Sequence, residues 1–447
     1  MNRRNFLGKT LAAGLGGGFL VESMGQSIRG EKSIPPLSKA SDLALQQRYD
    51  TCKRQLVDEY FPFWQKGGND DEDGGFMCYL RPDGSVENDR KDIWYQGRGI
   101  WVNAWFYNTF NQFGEREILL KQARMARDFM VRHMHRGDGT WTTTVNRKGS
   151  PVDGIAIDRS QNIYGALFAA AGLIQLAKAT GNEVDLHLAK QSLRKSVELY
   201  ENSEYLGVTA PGVSDTGLRA QGHSFMFVWV IPQLLELDDD PWFSAILEEH
   251  FNALHHKFWN PEFGISNEVL FHDYSRIDSQ AGSMIPGHSI EAQWMCMQEA
   301  MRNGNSKSYH IFKDRMRRLI EMSWDHVFDG TCDTAYLVHP SDDSPAGPAY
   351  EIKTMWAQTE VCIGCLLAYE ETGEDWGREW FEHSWSFLQR TMTTQHGIWR
   401  QAVDRQGYNK QRDGISIYRQ GNFHQPRCLM YLMASLQRMI DRKNATV

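Results

Sequence analysis

The sequence predicts an all-α protein, an (α/α)6 barrel of about twelve helices with small β-hairpins in the long loops at one end. After roughly the first 40 residues, apolar side chains recur with a helical period through almost the whole chain. Short and long connections alternate between these helical segments, and the alternation repeats about every 60–70 residues. A repeat of that length indicates stacked helix pairs.

The predicted helices are amphipathic or apolar segments bounded by glycine, proline and polar residues. They span residues 41–62, 94–112, 115–135, 159–180, 183–201, 220–236, 240–257, 288–303, 306–326, 355–373, 376–392 and 424–442. Helices that follow a long loop begin near Trp94, Arg159, Ala220, Gly287, Thr354 and Phe423. Six pairs favour closure into a ring, because the chain shows no terminal repeat with the polar outer face that an open superhelix needs.

Three of the long loops contain alternating apolar and polar residues typical of strands, at 75–80, 141–145 and 398–403. A turn that contains glycine follows each run, which predicts a small hairpin within each loop. The long loops of a ring of helix pairs all lie at one end of the ring. We therefore expect the functional site at that end.

The first 27 residues resemble a signal peptide of the twin-arginine (Tat) type. Arg3 and Arg4 precede the apolar stretch 11–21, which is shorter than the roughly 20 residues of a membrane span. Ser23 and Gly25 are small residues at plausible cleavage positions. We expect export to the periplasm, no stable membrane insertion after signal removal, a lead-in over 28–40, and a single catalytic barrel domain over 41–447.

Composition excludes several classes of function. The net charge of -8, without a basic block, argues against a nucleic-acid partner. The seven cysteines do not form a disulfide framework, and Cys362 and Cys365 lie in an apolar helix, which favours buried core thiols over a metal or redox site. Motifs for zinc proteases, serine hydrolases and nucleotide binding are absent from the sequence, so we predict no metal and no cofactor.

Polar and aromatic residues recur at the starts of the six helices that follow long loops. They are Trp94, Gln96 and Arg98; Gln161, Asn162 and Tyr164; His223; His288 and Glu291; Trp356, Gln358 and Glu360; and His424 and Arg427. If these helices form the inner ring, the side chains converge on one mouth, which is the usual form of a binding pocket.

Within this group, His288 and Glu291 lie three positions apart and share one helix face, so Glu291 can orient His288 and strengthen it as a base. A buried histidine that merely bonds a carboxylate is the alternative. His424 occupies the matching place in another repeat, which favours an acid/base pair. Arg98 needs an anion, either a structural carboxylate or a developing oxyanion. For Arg427 we expect a cap or ion-pair role.

Four segments resemble motifs of the N-acylglucosamine 2-epimerase family, in the same order and at fitting spacing over roughly residues 45–440. Residues 91–98 (KDIWYQGR) resemble K-x-x-W-x-Q-G-R, and residues 286–292 (PGHSIEA) resemble P-G-H-x-x-E-A. Residues 356–360 (WAQTE) are similar to W-x-Q-x-E, and residues 423–427 (FHQPR) are similar to F-H-x-P-R. Residues 420–422 (QGN) depart from the Lys-Gly that often precedes the last motif, which leaves the substrate open.

The resemblance implies an (α/α)6 barrel that epimerises or isomerises a sugar at C2 through an enediolate, without a cofactor. It implies that His288 and His424 are the catalytic acid/base pair, that Arg98 stabilises the oxyanion, and that Glu291 supports a histidine. Trp94 and Trp356 correspond to sugar-contacting positions. We further expect Asn162, His223, Gln358 and Glu360 to bind the substrate, a mono- or short oligosaccharide.

Two other functions remain open from the sequence. The first is a glycoside or unsaturated-uronyl hydrolase on the same barrel, which normally needs two carboxyl groups across the scissile bond. The second is an exported sugar-binding protein, which would keep Trp94 and Trp356 but would not need both histidines. Epimerase and aldose–ketose isomerase share all of the predicted catalytic residues, and a homodimer is also left open.

Overall fold

A computed structural model describes residues 42–152, 162–205, 207–210, 213–346, 349–408 and 420–445. The chain from Pro36 to Val447 forms one compact unit. The predicted signal peptide and lead-in lie outside the described residues.

Twelve helices are present in the described part of the chain, and each begins within three residues of its predicted start. They are α1 (Asp42–Lys53), α2 (Ile93–Thr109), α3 (Arg116–His133), α4 (Asn162–Thr180), α5 (Glu183–Glu201), α6 (Gln221–Leu235), α7 (Pro241–Asn252), α8 (Pro286–Arg302), α9 (Ser306–Ser323), α10 (Met355–Thr372), α11 (Asp375–Phe387) and α12 (His424–Asn444). Three of them continue as π-helix: α7 over Ala253–Phe258, α11 over Leu388–Met392, and α1 over Arg54–Tyr60. After its π-helical part, α1 returns to α-helix over Phe61–Gly67.

The helices form two concentric rings. Each even-numbered helix packs against the next even-numbered helix, and α12 packs against α2, so the inner ring is closed. Each odd-numbered helix from α3 to α11 packs on the inner helix before it, and α1 packs on α12. The first helix of the barrel thus completes the sixth pair with the last, and the predicted (α/α)6 barrel is confirmed.

Burial separates the two rings. The outer helix α3 buries Leu119, Ala123, Ala126 and Met130, which recur at the spacing of one helix face. The inner helix α4 is apolar on nearly all sides, and its segment 163–180 is long and apolar enough to cross a membrane. Most of that segment is buried inside the barrel, which marks α4 as a core helix.

Short strands lie in the long loops at the end of the barrel where the inner helices begin. The antiparallel pairs are β1 (Lys91–Asp92) with β2 (Thr144–Val145), β3 (Gly207–Ala210) with β4 (Val213–Asp215), β5 (Leu218–Ala220) with β8 (Val269–Phe271), β6 (Trp259–Asn260) with β7 (Ile265–Ser266), β9 (Ser283–Met284) with β10 (Ala335–Tyr336), and β11 (Ile352–Thr354) with β12 (Ala402–Asp404). In four of these pairs, a strand that leads into an inner helix bonds to a strand of the next long loop. These ladders tie neighbouring repeats together.

The pairing adds partners that the hairpin prediction did not include. After the run at 141–145 the chain folds back, with a bridge between Val145 and Pro151, and β2 in the same run also pairs with β1. After the run at 398–403, the Asp404 N–H donates to the Tyr408 carbonyl (2.8 Å) across the turn, and β12 also pairs with β11 from the preceding long loop. Around the turn after 75–80 the chain folds back as well, with a bridge between Leu80 and Val86. Alternation within a loop predicts a strand, but the partner is set by which loops the closed ring brings together.

Two buried lysines bind carboxylates and backbone carbonyl groups of these loops. The Lys91 ammonium donates hydrogen bonds to Asp70 (2.7 Å) and to the carbonyl oxygens of Gly74 (2.6 Å) and Arg147 (2.8 Å), and the Arg147 guanidinium also binds Asp70. The same arrangement recurs four repeats later around Lys353, with Asp325, Asp329 and Arg405. Three oxygen partners replace the hydration of each buried ammonium group, so its burial costs little free energy. These lysines therefore support the loop structure.

Candidate active site

Two histidines meet at one indole where the inner helices begin. His288 is the third residue of α8 and His424 the first of α12, while Trp356 lies in the first turn of α10. The Trp356 ring is centred 4.9 Å from the His288 ring and 5.8 Å from the His424 ring. A Cβ on Gly287 would lie 2.3 Å from this indole, so only glycine lets the ring rest against the start of α8.

His288 is oriented by a carboxylate that the sequence prediction missed. Its Nδ1 lies 2.9 Å from Oε1 of Glu268, which precedes β8, and the Glu268 backbone carbonyl accepts a hydrogen bond from the backbone N–H of Gln221. The prediction that Glu291 orients His288 is therefore wrong. Glu268 stands 20 residues before His288 in a loop, so no spacing rule could have linked the two.

The surroundings of His288 favour its protonated form. Burial alone would lower the pKa of His288, but the charge and hydrogen bond of Glu268, together with the charges of Glu291 and Asp333, raise it to about 9. The imidazole is 27% exposed, so it remains open to solvent and substrate. At neutral pH, His288 is thus an imidazolium whose Nε2–H is free of the Glu268 bond.

His424 lies in the opposite electrostatic environment. Burial, followed by the positive charges of Arg427 and Arg98, lowers the pKa of His424 well below its usual value. Its Nδ1 lies 3.1 Å from Oε1 of Glu360 and 3.3 Å from Nη2 of Arg427. The neutral tautomer that donates to Glu360 carries its proton on Nδ1. The Nε2 lone pair of His424 is then available to accept a proton.

A fully buried arginine joins three neighbouring inner helices, α8, α10 and α12, beneath the histidines. Arg427 donates from Nη1 to Glu291 (2.7 Å) and from Nη2 to Glu360, and its guanidinium is 0% exposed. This confirms the predicted ion-pair role of Arg427 and shows where Glu291 is used. Glu360 also accepts a hydrogen bond from the Trp294 indole (3.1 Å). Because Glu360 is fully buried, its predicted role in substrate binding is wrong, and it instead contacts His424.

Arg98 is held among aromatic rings. Its guanidinium carbon lies 4.2 Å from the Phe168 ring centre, 4.9 Å from that of Phe423 and 5.1 Å from that of Trp94. The Trp94 ring stacks on Tyr164, with centres 5.5 Å apart and planes 12° apart. These contacts restrict the guanidinium on the side of the barrel wall, and its charge contributes to the lowered pKa of His424.

Gln358 has a structural role, so its predicted part in substrate binding is wrong. Its amide accepts from the Thr331 backbone N–H and donates to the Thr331 carbonyl, both at 2.9 Å, and the side chain is fully buried. Gln96 clamps the backbone of Phe76 in the same way. The sequence carries a signal for this duplication, since the pattern K-x-x-W-x-Q occurs at residues 91–96 and again at 353–358.

Two further predicted substrate contacts stay predictions. His223 is 3% exposed, packs on Tyr164 with ring centres 4.4 Å apart, and its Nε2 has no hydrogen-bond partner among the described residues. Burial lowers the pKa of His223 to about 3, so the ring is neutral. Asn162 begins α4, but its side chain lies outside the described residues.

Three carboxylates in the described part of the chain lie close enough together to hold a cation. These are Asp70, Glu72 and Asp73 in the loop before β1. The Arg147 guanidinium contacts all three at 2.8–3.5 Å, and Lys91 also binds Asp70. The group is therefore an ion-pair network that belongs to the loop support.

Comparison with known proteins identifies the family of this chain. The family model for N-acylglucosamine 2-epimerase matches residues 74–415, most of the barrel. The chain belongs to the N-acylglucosamine 2-epimerase family. The resemblance that the four motifs indicated is thereby confirmed.

Relatives that are similar to this chain include both epimerases and an isomerase. N-acylglucosamine 2-epimerase of Rattus norvegicus is 23% identical over 87% of this chain and 92% of its own length. Mannose-6-phosphate isomerase of Rhizobium meliloti is 24% identical over 68% of this chain and 76% of its own length. The protein is accordingly a carbohydrate epimerase or isomerase.

Solved structures support the fold. Cellobiose 2-epimerase from Bacillus thermoamylovorans aligns with a TM-score of 0.73 at 18% identity, over 88% of this chain and all of that one. A glycoside hydrolase family 76 α-mannanase from Bacteroides thetaiotaomicron is more distant, with a TM-score of 0.54 at 12% identity. The fold alone would not separate the two activities, so the site residues must do so.

Proposed function

We propose that the protein epimerises or isomerises a reducing sugar at C2, with His424 as the base and His288 as the acid of one two-histidine mechanism. The observation that carries this proposal is the opposite electrostatic environment of two histidines that border the same indole. Paired titratable groups whose surroundings push their pKa values apart are the usual basis of acid and base roles.

The reaction starts from the open-chain aldose, whose C1 carbonyl acidifies the C2 hydrogen. His424 Nε2 takes the C2 proton, and the electron pair moves onto the carbonyl oxygen to give an enediolate. The Arg98 guanidinium stabilises the developing negative charge. His288 then returns a proton from its Nε2 to the opposite face of C2 while the carbonyl re-forms, which yields the C2 epimer. Proton exchange with solvent restores the starting charges of both histidines.

The same residues also serve aldose–ketose isomerisation. If a proton is delivered to C1 of the enediolate and the oxygen on C2 becomes the carbonyl, the product is the ketose. By their names, the relatives act on N-acylglucosamine, cellobiose and mannose 6-phosphate, all of which are reducing sugars. We therefore propose a reducing mono- or disaccharide as the substrate class.

The contacts of the three carboxylates near the histidines argue against the hydrolase alternative. A glycosidase needs one carboxylic acid and one carboxylate free to reach either side of the scissile bond. Here Glu291 and Glu360 both bind the buried Arg427, and Glu268 binds His288. None of these three side chains is placed to act on a glycosidic bond.

Proton NMR in deuterated buffer tests the proposed function. N-acetylglucosamine, cellobiose, mannose and glucose are each incubated with the enzyme and, as a control, without it. We expect the product of at least one sugar to carry deuterium, at C2 in an epimer or at C1 in a ketose, because a partly exposed histidine exchanges its proton with solvent before returning it. Hydrolysis would instead release a new reducing end and label no carbon. An epimer that fully retains its C2 hydrogen would contradict the two-histidine mechanism.

Glu268→Gln is expected to move the alkaline limb of the pH–rate profile to lower pH. With Glu268 present, the pKa of His288 is about 9, so the acid form persists until pH rises through that value. Glutamine removes the charge of Glu268 but not its size, so the imidazolium loses its proton at lower pH. Activity as a function of pH is the measurement.

The control for this variant is Glu262→Gln, an exposed glutamate on the same connection between α7 and α8. Its pH–rate profile should coincide with that of the wild type. An unchanged alkaline limb in Glu268→Gln would show that Glu268 does not set the protonation of His288.

A further inference from the structure

A cavity opens at the end of the barrel opposite to the histidines. The C-terminal halves of all six inner helices enclose it, and its volume is about 290 Å³. Its lining includes Trp105, Gln175, Trp229, Gln298, Arg302 and Tyr431. Because six packed helices form its wall, the cavity is a preformed feature of the barrel.

A layer of packed rings separates this cavity from the candidate active site. Trp94 and Trp105 lie on the same helix 11 positions apart, which corresponds to about 16 Å along the axis. Between them, the fully buried Trp101 packs on Phe423 and Trp229, with ring centres 5.5 Å and 5.0 Å apart. The cavity is therefore a separate site.

Aromatic rings form part of the cavity wall. Trp105 and Tyr431 are partly exposed, and their ring centres are 5.4 Å apart. The Trp229 indole donates to the Tyr431 hydroxyl (3.1 Å), which holds both side chains in place. Rigid rings that combine an apolar face with a polar edge suit a ligand that has both kinds of surface.

The charged groups of the cavity have partners within the protein. The ion pairs are Lys178 with Glu236 (2.6 Å), Arg302 with Glu299 (2.6 Å) and Arg438 with Glu370 (2.7 Å). A charged ligand would have to break one of these pairs, whereas a neutral ligand can bond to their outer atoms. The Gln298 amide lines the cavity and makes no hydrogen bond to another residue that the structure describes. It can therefore serve a hydroxyl group.

We propose that this cavity binds one ring of a neutral sugar, as a carbohydrate site distinct from the site of reaction. The volume of about 290 Å³ lies just below the range for small-molecule pockets, roughly 300–1,000 Å³, which fits a single ring. Aromatic faces pack against the C–H faces of a sugar, and the paired charged groups and Gln298 bond its hydroxyls. The ring binds without reacting there, since both histidines lie at the other end.

Saturation-transfer NMR with methyl α-D-glucoside tests this proposal. The glycoside is a closed ring that cannot open, so its spectrum does not change through turnover. We expect transfer to the probe with the wild type and with Trp356→Ala, which alters the candidate active site. We expect transfer to be lost with Ala434→Trp, since Ala434 lines the cavity and a large side chain there fills it.

A smaller substitution tests the cavity independently, in case Ala434→Trp does not fold. Gln298→Ala removes one neutral hydrogen bond and is expected to weaken probe binding about five-fold while leaving epimerisation unchanged. Transfer that persists in Ala434→Trp but disappears in Trp356→Ala would overturn the proposal, because all binding would then occur at the candidate active site. No transfer to the wild type would overturn it as well.

Discussion

His288→Ala and His424→Ala are each expected to lower kcat/KM by at least about 10²-fold, and up to 10⁴-fold, without unfolding the protein. His424 is proposed to remove the C2 proton and His288 to return one, so loss of either side chain blocks a different half of the proton transfer. Both imidazoles are partly exposed, at 17% for His424 and 27% for His288, so truncation leaves no large buried cavity. Initial rates and thermal unfolding of each variant are the measurements.

His187→Ala provides the matched control, because His187 is an exposed residue of the outer helix α5. Its rate should equal that of the wild type. Deuterium exchange distinguishes the two catalytic variants further, since His288→Ala keeps the base and can still exchange the C2 hydrogen of the starting sugar. More than about a tenth of wild-type activity in either variant would show that the histidine is not an acid/base group of this reaction.

Arg427→Met is expected to lower the free energy of unfolding by about 3–5 kcal/mol at neutral pH. The substitution keeps an unbranched side chain but leaves Glu291 and Glu360 buried without their shared cation. A buried carboxylate that lacks a partner has a raised pKa, so the folded variant binds more protons than its unfolded chain. Its stability should therefore increase as pH falls from 7 towards 5. Denaturant unfolding at both pH values measures the effect.

The control for this variant is Arg317→Met, which removes an exposed arginine paired with Glu321 on the outer helix α9. Exposed pairs contribute about 0–1 kcal/mol, so its stability should stay close to that of the wild type at either pH. A loss in Arg427→Met as small as that of the control would mean that the Arg427 network does not stabilise the inner ring.

The duplicated pattern K-x-x-W-x-Q shows why some site residues were assigned wrongly from the sequence. Lys353 and Gln358 support loops, Trp356 borders both histidines, and the three lie within six positions of one another. Alternate side chains at a strand–helix junction point to different surroundings. A motif therefore marks where a site is, but only packing shows which of its residues face the pocket.

The sequence by itself determined the ring of helix pairs and the end of the ring at which His288 and His424 lie. Helical period and loop length are local properties, so they can be read along the chain. The tertiary structure alone decided that Glu268 bonds His288, that Arg427 joins Glu291 to Glu360, and that the two histidines stand in opposite fields. These interactions join groups from different repeats, and electrostatic energy depends on distance and burial in the folded chain and not on separation in sequence.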